Sequence, residues 1–201
     1  MRALVIIDVQ NDFIPGGALA VPEGYKIVEL INKLQHKFDL VIATQDWHPE
    51  DHSSFAVNHP EKKEFEKITW KGREEVLWPV HCLQSSWGAK FHPDLRTSKI
   101  EAIFRKGTNP EMDSYSAFYD NGHLKTTGLA GYLKEKGVDE LYFCGLAAEI
   151  CVYFSVMDAL EEGFDATIIE DATRALDTTD FENAKKNILE KGGKITTSLT
   201  I

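Results

Sequence analysis

ALVIIDVQNDF, residues 3–13, is the stretch whose reading decides the fold. Val5, Ile6 and Ile7 are consecutive and apolar, without the three-and-four spacing of a helix face, and Asp8 stops the run. A short continuous run of this kind reads as a strand, Ala3 to Val9, buried on both faces. Such a strand belongs in a parallel sheet covered by helices, and the sequence downstream supplies them. Pro22 and Glu23 open a predicted helix to about Lys37, in which Ile27, Leu30, Ile31 and Leu34 recur at helical spacing. Strands are expected at Leu40–Thr44, Ala102–Arg105, Leu141–Cys144, Ala166–Ile169 and Lys194–Thr197. Helices are expected near Thr126–Lys136, Ile150–Glu162 and Phe181–Lys191. Strand–helix alternation predicts a three-layer α/β/α architecture with a central, mostly parallel sheet. Between residues 45 and 98 the pattern dissolves into His-, Pro- and Trp-containing loops. A long irregular insertion is tolerated in a compact domain when it builds a site.

Composition narrows the function classes. At 201 residues, one domain covering 1–201 is expected, and 43% hydrophobic residues suffices for a sizeable core. The net charge of −10, with no Lys/Arg cluster, argues against nucleic acid as a partner. The first apolar run is too short for a secretory leader, and no later stretch reaches the length of a membrane span. Three cysteines (Cys82, Cys144 and Cys151), without a C-x-x-C pair, suit a reducing compartment. A cytoplasmic protein without membrane partners is expected; homo-oligomerisation stays open.

In open α/β sheets ligands bind beyond the carboxyl ends of the strands. Asp8 ends the first predicted strand, Asp46 follows the second, Lys106 the third, the loop 145–151 the fourth and Asp171 the fifth. A carboxylate, a lysine, a cysteine and a metal-ligand group are therefore expected to converge on one sheet edge. Cys151 is the candidate nucleophile: at a helix start, with Lys106 near, its thiol pKa should fall. The plainer reading is a buried structural cysteine, a role that suits Cys144 and Cys82 better. Asp8 is the candidate general base, or else a loop tie, and Lys106 its activator or merely its counter-ion. Asp46 and His48, two apart on extended chain, point the same way and with His81 could hold Zn²⁺, Mn²⁺ or Fe²⁺. D-x-H also occurs by chance. His36, His59, His92 and His123 lack such spacing and read as solvated or capping residues. Phe13 and Trp78 flank the polar groups and could equally fill core.

Five segments carry a resemblance across nearly the whole chain. IIDVQNDF (6–13) with Pro15-Gly16-Gly17, TQDWHPEDHSSF (44–55), WPVHC (78–82), FRKG (104–107) with DSYSAF (113–118), and CGLAAEICV (144–152) together resemble the nicotinamidases among the isochorismatase-like hydrolases. The resemblance implies the isochorismatase-like fold and a triad of Asp8, Lys106 and Cys151. It implies one divalent transition metal, zinc first with manganese or iron as alternatives, on Asp46, His48 and His81. It places the substrate's ring between Phe13 and Trp78, with Tyr115 nearby. It also implies a cis peptide at Leu146–Ala147 that turns the Ala147 and Cys151 N–H groups into an oxyanion hole. The implied reaction is hydrolysis of nicotinamide, and of pyrazinamide, through a thioester on Cys151, which is a step of NAD salvage. Two positions depart from the usual pattern: Ala148-Glu149 stands where Thr-Asp is common, and Ser54 where some members add a metal ligand. The rivals are an isochorismatase of the same fold, needing neither metal nor cysteine, and a catalytically silent scaffold.

Overall fold

The computed structural model describes all 201 residues. Its elements, in chain order, are β1 (Arg2–Ile7), α1 (Lys26–Leu34), β2 (Leu40–Asp46), β3 (Lys67–Trp70), β4 (Arg73–Val76), β5 (Ala102–Lys106), α2 (Leu129–Glu135), β6 (Glu140–Leu146), α3 (Tyr153–Glu161), β7 (Asp165–Arg174), α4 (Thr178–Glu190) and β8 (Lys194–Thr196). Six strands form one sheet in the order β5-β2-β1-β6-β7-β8, every neighbouring pair parallel.

The unbroken apolar run of β1 has a simple cause. Alternate residues leave opposite faces of a strand, and here both faces are covered. Leu4 and Ile6 pack with Ile27, Ile31 and Leu34 of α1 on one side. Ala3, Val5 and Ile7 pack with Leu129 and Leu133 of α2, Val156 of α3 and Ile188 of α4 on the other. Each fully buried aliphatic side chain contributes roughly 1.5–3 kcal/mol. The expected α/β/α layering is therefore present.

From β1 the chain builds outward through β2 to β5, then returns to β6 on the other side of β1. The order reverses between β1 and β6, so a crevice opens beyond their carboxyl ends. Close approach there requires glycine. Gly145, at φ +118°, pairs with Ile7, and a Cβ on it would lie 2.0 Å from the Ile7 carbonyl oxygen.

Several expected boundaries move. The first helix begins at Lys26 rather than Pro22, because residues 22–24 form a turn in which Glu23 adopts φ +57°. The last begins at Thr178, three residues before Phe181, because the Asp177 carboxylate caps it by accepting from the Thr179 and Asp180 N–H groups. The expected irregular stretch 45–98 is less irregular than its pattern suggests: β2 runs on through Asp46, and β3–β4 form an antiparallel hairpin within it. Asp171 does not join the sheet edge with the other polar groups. β7 continues past it, and its carboxylate accepts from the Ser198 backbone N–H and hydroxyl.

Candidate active site

Asp8 leaves β1 in the left-handed region, φ +47°, and is fully buried at the mouth of the crevice. Its Oδ1 accepts from the Thr44 hydroxyl at 2.6 Å. The β2–β5 register sets Asp46 opposite Lys106. Lys106, its side chain sealed from solvent, places Nζ 2.9 Å from Asp8 Oδ2, 2.5 Å from Asp46 Oδ1 and 3.4 Å from Cys151 Sγ, and donates to the Ser114 carbonyl at 3.0 Å. Cys151 lies in a wide π-type turn (Ala148–Val152) that joins β6 to α3. Side-chain atoms of Asp8, Asp46 and Cys151 come within 4.8 Å of one another. Three acid groups could hold a cation, and the lysine ammonium is that cation.

Burial decides much of the electrostatics. It would lower the Lys106 pKa, but Asp46 and Asp8 outweigh it and hold the ammonium protonated, well above the usual lysine range. Burial pushes the Asp8 carboxyl above its usual range, with Lys106 opposing. For Cys151 the result corrects the sequence expectation: burial, helped by the two carboxylates, raises the thiol well above its usual range, and Lys106 only partly offsets this. The thiol is neutral at rest because a helix start cannot offset full desolvation beside two carboxylates. Alkylation of Cys151 by iodoacetamide, followed by peptide mass spectrometry, should therefore keep rising with pH beyond 9, since the thiolate fraction grows about tenfold per pH unit below the pKa. A plateau below pH 7 would contradict the reading.

Asp46, His48 and His81 are all buried, with one ligand atom of each within 4.8 Å of the others. His48 Nδ1 faces the Gly107 carbonyl at 2.9 Å and His81 Nδ1 the Pro79 carbonyl at 2.8 Å. A carbonyl only accepts, so both Nδ1 atoms carry a proton, and in the neutral rings that a metal would bind, both Nε2 atoms would offer a lone pair. These atoms face Asp46 Oδ2, at 3.5 and 3.8 Å, and His48 Nε2 is buried without a hydrogen-bond partner. Two imidazole nitrogens and a carboxylate around an unsatisfied buried atom are the donor set of a transition-metal site.

His52 was not singled out by the sequence, and the structure brings it here. Its ring centroid lies 4.2 Å from that of His48, its Nδ1 bonds the Ser54 hydroxyl at 2.7 Å, and its Nε2 is buried and unpartnered. Burial depresses its pKa to about 4, so it is neutral. Asp113 stands with His48 and His52 within the same 4.8 Å. The available signal was the four-residue spacing of His48 and His52.

The DVQNDF segment acts as a hub. The Gln10 side chain accepts from the Asp46 N–H and donates to the Asp46 and Ala89 carbonyls. Asn11 donates to the Trp87 carbonyl, and Asp12 accepts from the Cys82 N–H beside His81. Phe13, Trp78 and Tyr115 line one pocket with Asp46, His81, Ala147 and Cys151. The Trp78 indole N–H donates to the Tyr115 hydroxyl at 3.2 Å. The peptide between Leu146 and Ala147 is cis, as expected. Glu149, where the sequence departs from the usual Thr-Asp, accepts from the Asp177 N–H and so ties the nucleophile turn to the cap of α4.

Known proteins match this chain along its length. The isochorismatase domain family matches residues 2–199. A nicotinamidase of Acinetobacter baylyi is 43% identical over 94% of this chain and 89% of its own, and one of Escherichia coli is 46% identical over 87% and 84%. Among solved structures, a nicotinamidase/pyrazinamidase of Acinetobacter baumanii superposes with a TM-score of 0.97 at 44% identity, covering 99% of this chain and 97% of that one. A structure from L. infantum in complex with nicotinate has a TM-score of 0.87 at 37% identity (98% and 93% covered). A pyrazinamidase of Pyrococcus horikoshii in complex with zinc has a TM-score of 0.80 at 38% identity (98% and 98% covered).

Proposed function

The chain belongs to the isochorismatase family, and we propose that it is a nicotinamidase, hydrolysing nicotinamide to nicotinate and ammonia, with pyrazinamide as a second substrate. The observation that carries the reading is the cluster of Cys151, Lys106 and Asp8 at the end of an aromatic pocket that also holds Asp46 and His81. The nicotinamidase relatives and the nicotinate complex support it. Residues 1–201 act as one domain on this reading, since the helices covering both sheet faces come from the whole chain. Three free cysteines favour a cytoplasmic setting. No helix is long and apolar enough to cross a membrane.

The chemistry is acyl transfer. The resting thiol is neutral, so a base must act, and we assign Asp8, the carboxylate that shares Lys106 with Cys151 and whose pKa burial raises, making it a stronger base than an ordinary aspartate. Asp8 takes the Cys151 proton as sulfur attacks the carboxamide carbon. The Ala147 and Cys151 N–H groups receive the developing oxyanion, which is commonly the largest catalytic contribution. Asp8 returns the proton to the departing nitrogen, and ammonia leaves a thioester. Asp8 then takes a proton from a water that attacks the thioester and passes it to the departing sulfur, releasing nicotinic acid and restoring both the thiol and its own carboxylate. Lys106 offsets negative charge on Asp8 and sulfur through both halves. Phe13 and Trp78 hold the ring faces.

Asp46, His48 and His81 would hold a divalent metal, for which we assign Zn²⁺ on the nitrogen–oxygen donor set and the zinc-bound P. horikoshii structure. Bound there, it supplies a Lewis-acid contact for the pyridine nitrogen that orients the ring. Gly107 is part of the fit: at φ +62°, a Cβ on it would lie 2.3 Å from the His48 ring. Gly107→Ala is therefore expected to weaken Zn²⁺ binding by about 10- to 100-fold, read by competition with a chromophoric chelator. Unchanged affinity would show that His48 does not need its Gly107 seat.

Substrate choice tests the whole reading. An ammonia-release assay should rank nicotinamide and pyrazinamide above benzamide by roughly 100-fold or more in kcat/KM, because benzamide has no ring nitrogen to offer the metal. Equal rates on nicotinamide and benzamide would refute metal recognition. Faster turnover of isochorismate would move the chain to the vinyl-ether hydrolases, and no turnover of any pyridine carboxamide would favour a silent scaffold.

A further inference from the structure

We propose that His123, Asp158 and Glu161 form a second divalent-cation site, suited to a first-row transition ion such as Zn²⁺ and built from residues other than those around Cys151. His123 comes from the loop before α2, while Asp158 and Glu161 stand one turn apart on α3, a spacing that puts them on one helix face. One ligand atom of each lies within 4.8 Å of the others. His123 Nε2 is 3.2 Å from Asp158 Oδ1. Two ligands bound to one ion at the usual zinc distances sit about 2.9 to 3.4 Å apart, so this pair already has ligand spacing.

Two features go beyond an ordinary surface ion pair. Asp158 is only 6% exposed, and its Oδ2 makes no hydrogen bond of normal geometry, the Ser116 hydroxyl being the one side-chain donor beside the carboxylate apart from His123. A buried carboxylate is best satisfied by several donors or a cation, and here the ion pair with His123 engages Oδ1 while a single hydroxyl, that of Ser116, stands by the rest. Asp158 lines a cavity of about 210 Å³ shared with Asp120, whose Oδ2 is also buried and unpartnered. The other cation on this cavity, Arg73, is committed to the Asn121 and Gly122 carbonyls. The imidazole is also held in place: His123 sits at φ +53° with its ring stacked on Tyr119, centroids 4.8 Å apart and planes 17° from parallel. Glu161 forms no ion pair and is free to close the set, with water completing the shell. An ion here would pin the 120–126 loop to α3, the helix that follows the Cys151 turn.

The proposal does not depend on the reaction assigned above, and its test reads metal rather than turnover. Full-length protein equilibrated with buffered Zn²⁺ is analysed for zinc per chain by mass spectrometry. Wild type should hold about two ions, and His123→Ala and Glu161→Gln about one, both residues being exposed enough to change without loss of fold. The His48→Ala/His81→Ala protein should keep about one ion and lose it when His123→Ala is added. Zinc should also slow tryptic cleavage after Lys125 in wild type and not in His123→Ala. Equal zinc content and equal tryptic rates in wild type, His123→Ala and Glu161→Gln would overturn the site and leave His123–Asp158 a plain ion pair.

Discussion

Cys151→Ala is expected to lower nicotinamide turnover by at least about 10⁴-fold, because loss of a nucleophile removes the covalent route and leaves only binding and electrostatic stabilisation. Cys82→Ala and Cys144→Ala are expected to stay within a few fold of wild type in kcat. Their thiols are fully buried and neither lines the aromatic pocket that Cys151 faces, so neither meets the carboxamide. Their truncation shows up as lost packing rather than lost chemistry. The assay is ammonia release, paired with mass spectrometry of acid-quenched turnover. An acyl adduct on the Cys151 peptide of wild type is the positive result, and turnover by Cys151→Ala above one-hundredth of wild type would end the covalent mechanism.

Lys106→Met should damage both stability and rate, through one cause. It leaves Asp8 and Asp46 facing each other in a sealed interior without the ammonium that lies 2.9 and 2.5 Å from them. Removing one member of a buried ionic group costs about 3–5 kcal/mol, which in a chain of this size lowers Tm by roughly 6–20 °C. Asp8 would then hold its proton more tightly, since burial already raises its pKa and Lys106 is the main opposing influence. A base that stays protonated cannot take the thiol proton, so kcat/KM should fall by about 10³-fold or more, with its acid limb moved to higher pH. Adding Asp46→Asn to Lys106→Met should recover part of the Tm by removing one of the uncompensated charges. A Lys106→Met protein with wild-type Tm would show that the lysine is not the charge that holds the cluster together.

The sequence shows why some of this was legible. The β1 run had one reading because a strand covered on both faces must be apolar at every position, and Leu4 and Ile6 do pack opposite to Val5 and Ile7. Asp8, Lys106 and Cys151 could be brought together on paper because each follows a strand and carboxyl ends share an edge. Asp171 shows the limit of that argument. It sits at a similar place in its pattern, but β7 runs on past it and its carboxylate turns to Ser198. The β3–β4 hairpin escaped because each strand is four residues long: Lys67–Trp70 alternates polar and apolar too briefly to stand out, and Arg73–Val76 is mostly charged. His52 escaped because its four-residue spacing from His48 gains meaning only once the loop that carries both has a shape.

By itself the sequence determined the strand–helix alternation, the three layers, the edge where the polar groups gather and the family its motifs resemble. These follow from local periodicity and from residues a few positions apart. Tertiary structure alone decided that Lys106 bridges Asp8 and Asp46, that His48 leans on Gly107 with Nε2 left bare, and that His52 joins them. It also decided the protonation of Cys151, which local sequence reads with the wrong sign. A helix start and a nearby lysine are local features that lower a thiol pKa. Desolvation and the field of two carboxylates depend on what the whole fold excludes and brings near, and at this site they outweigh the helix start and the lysine.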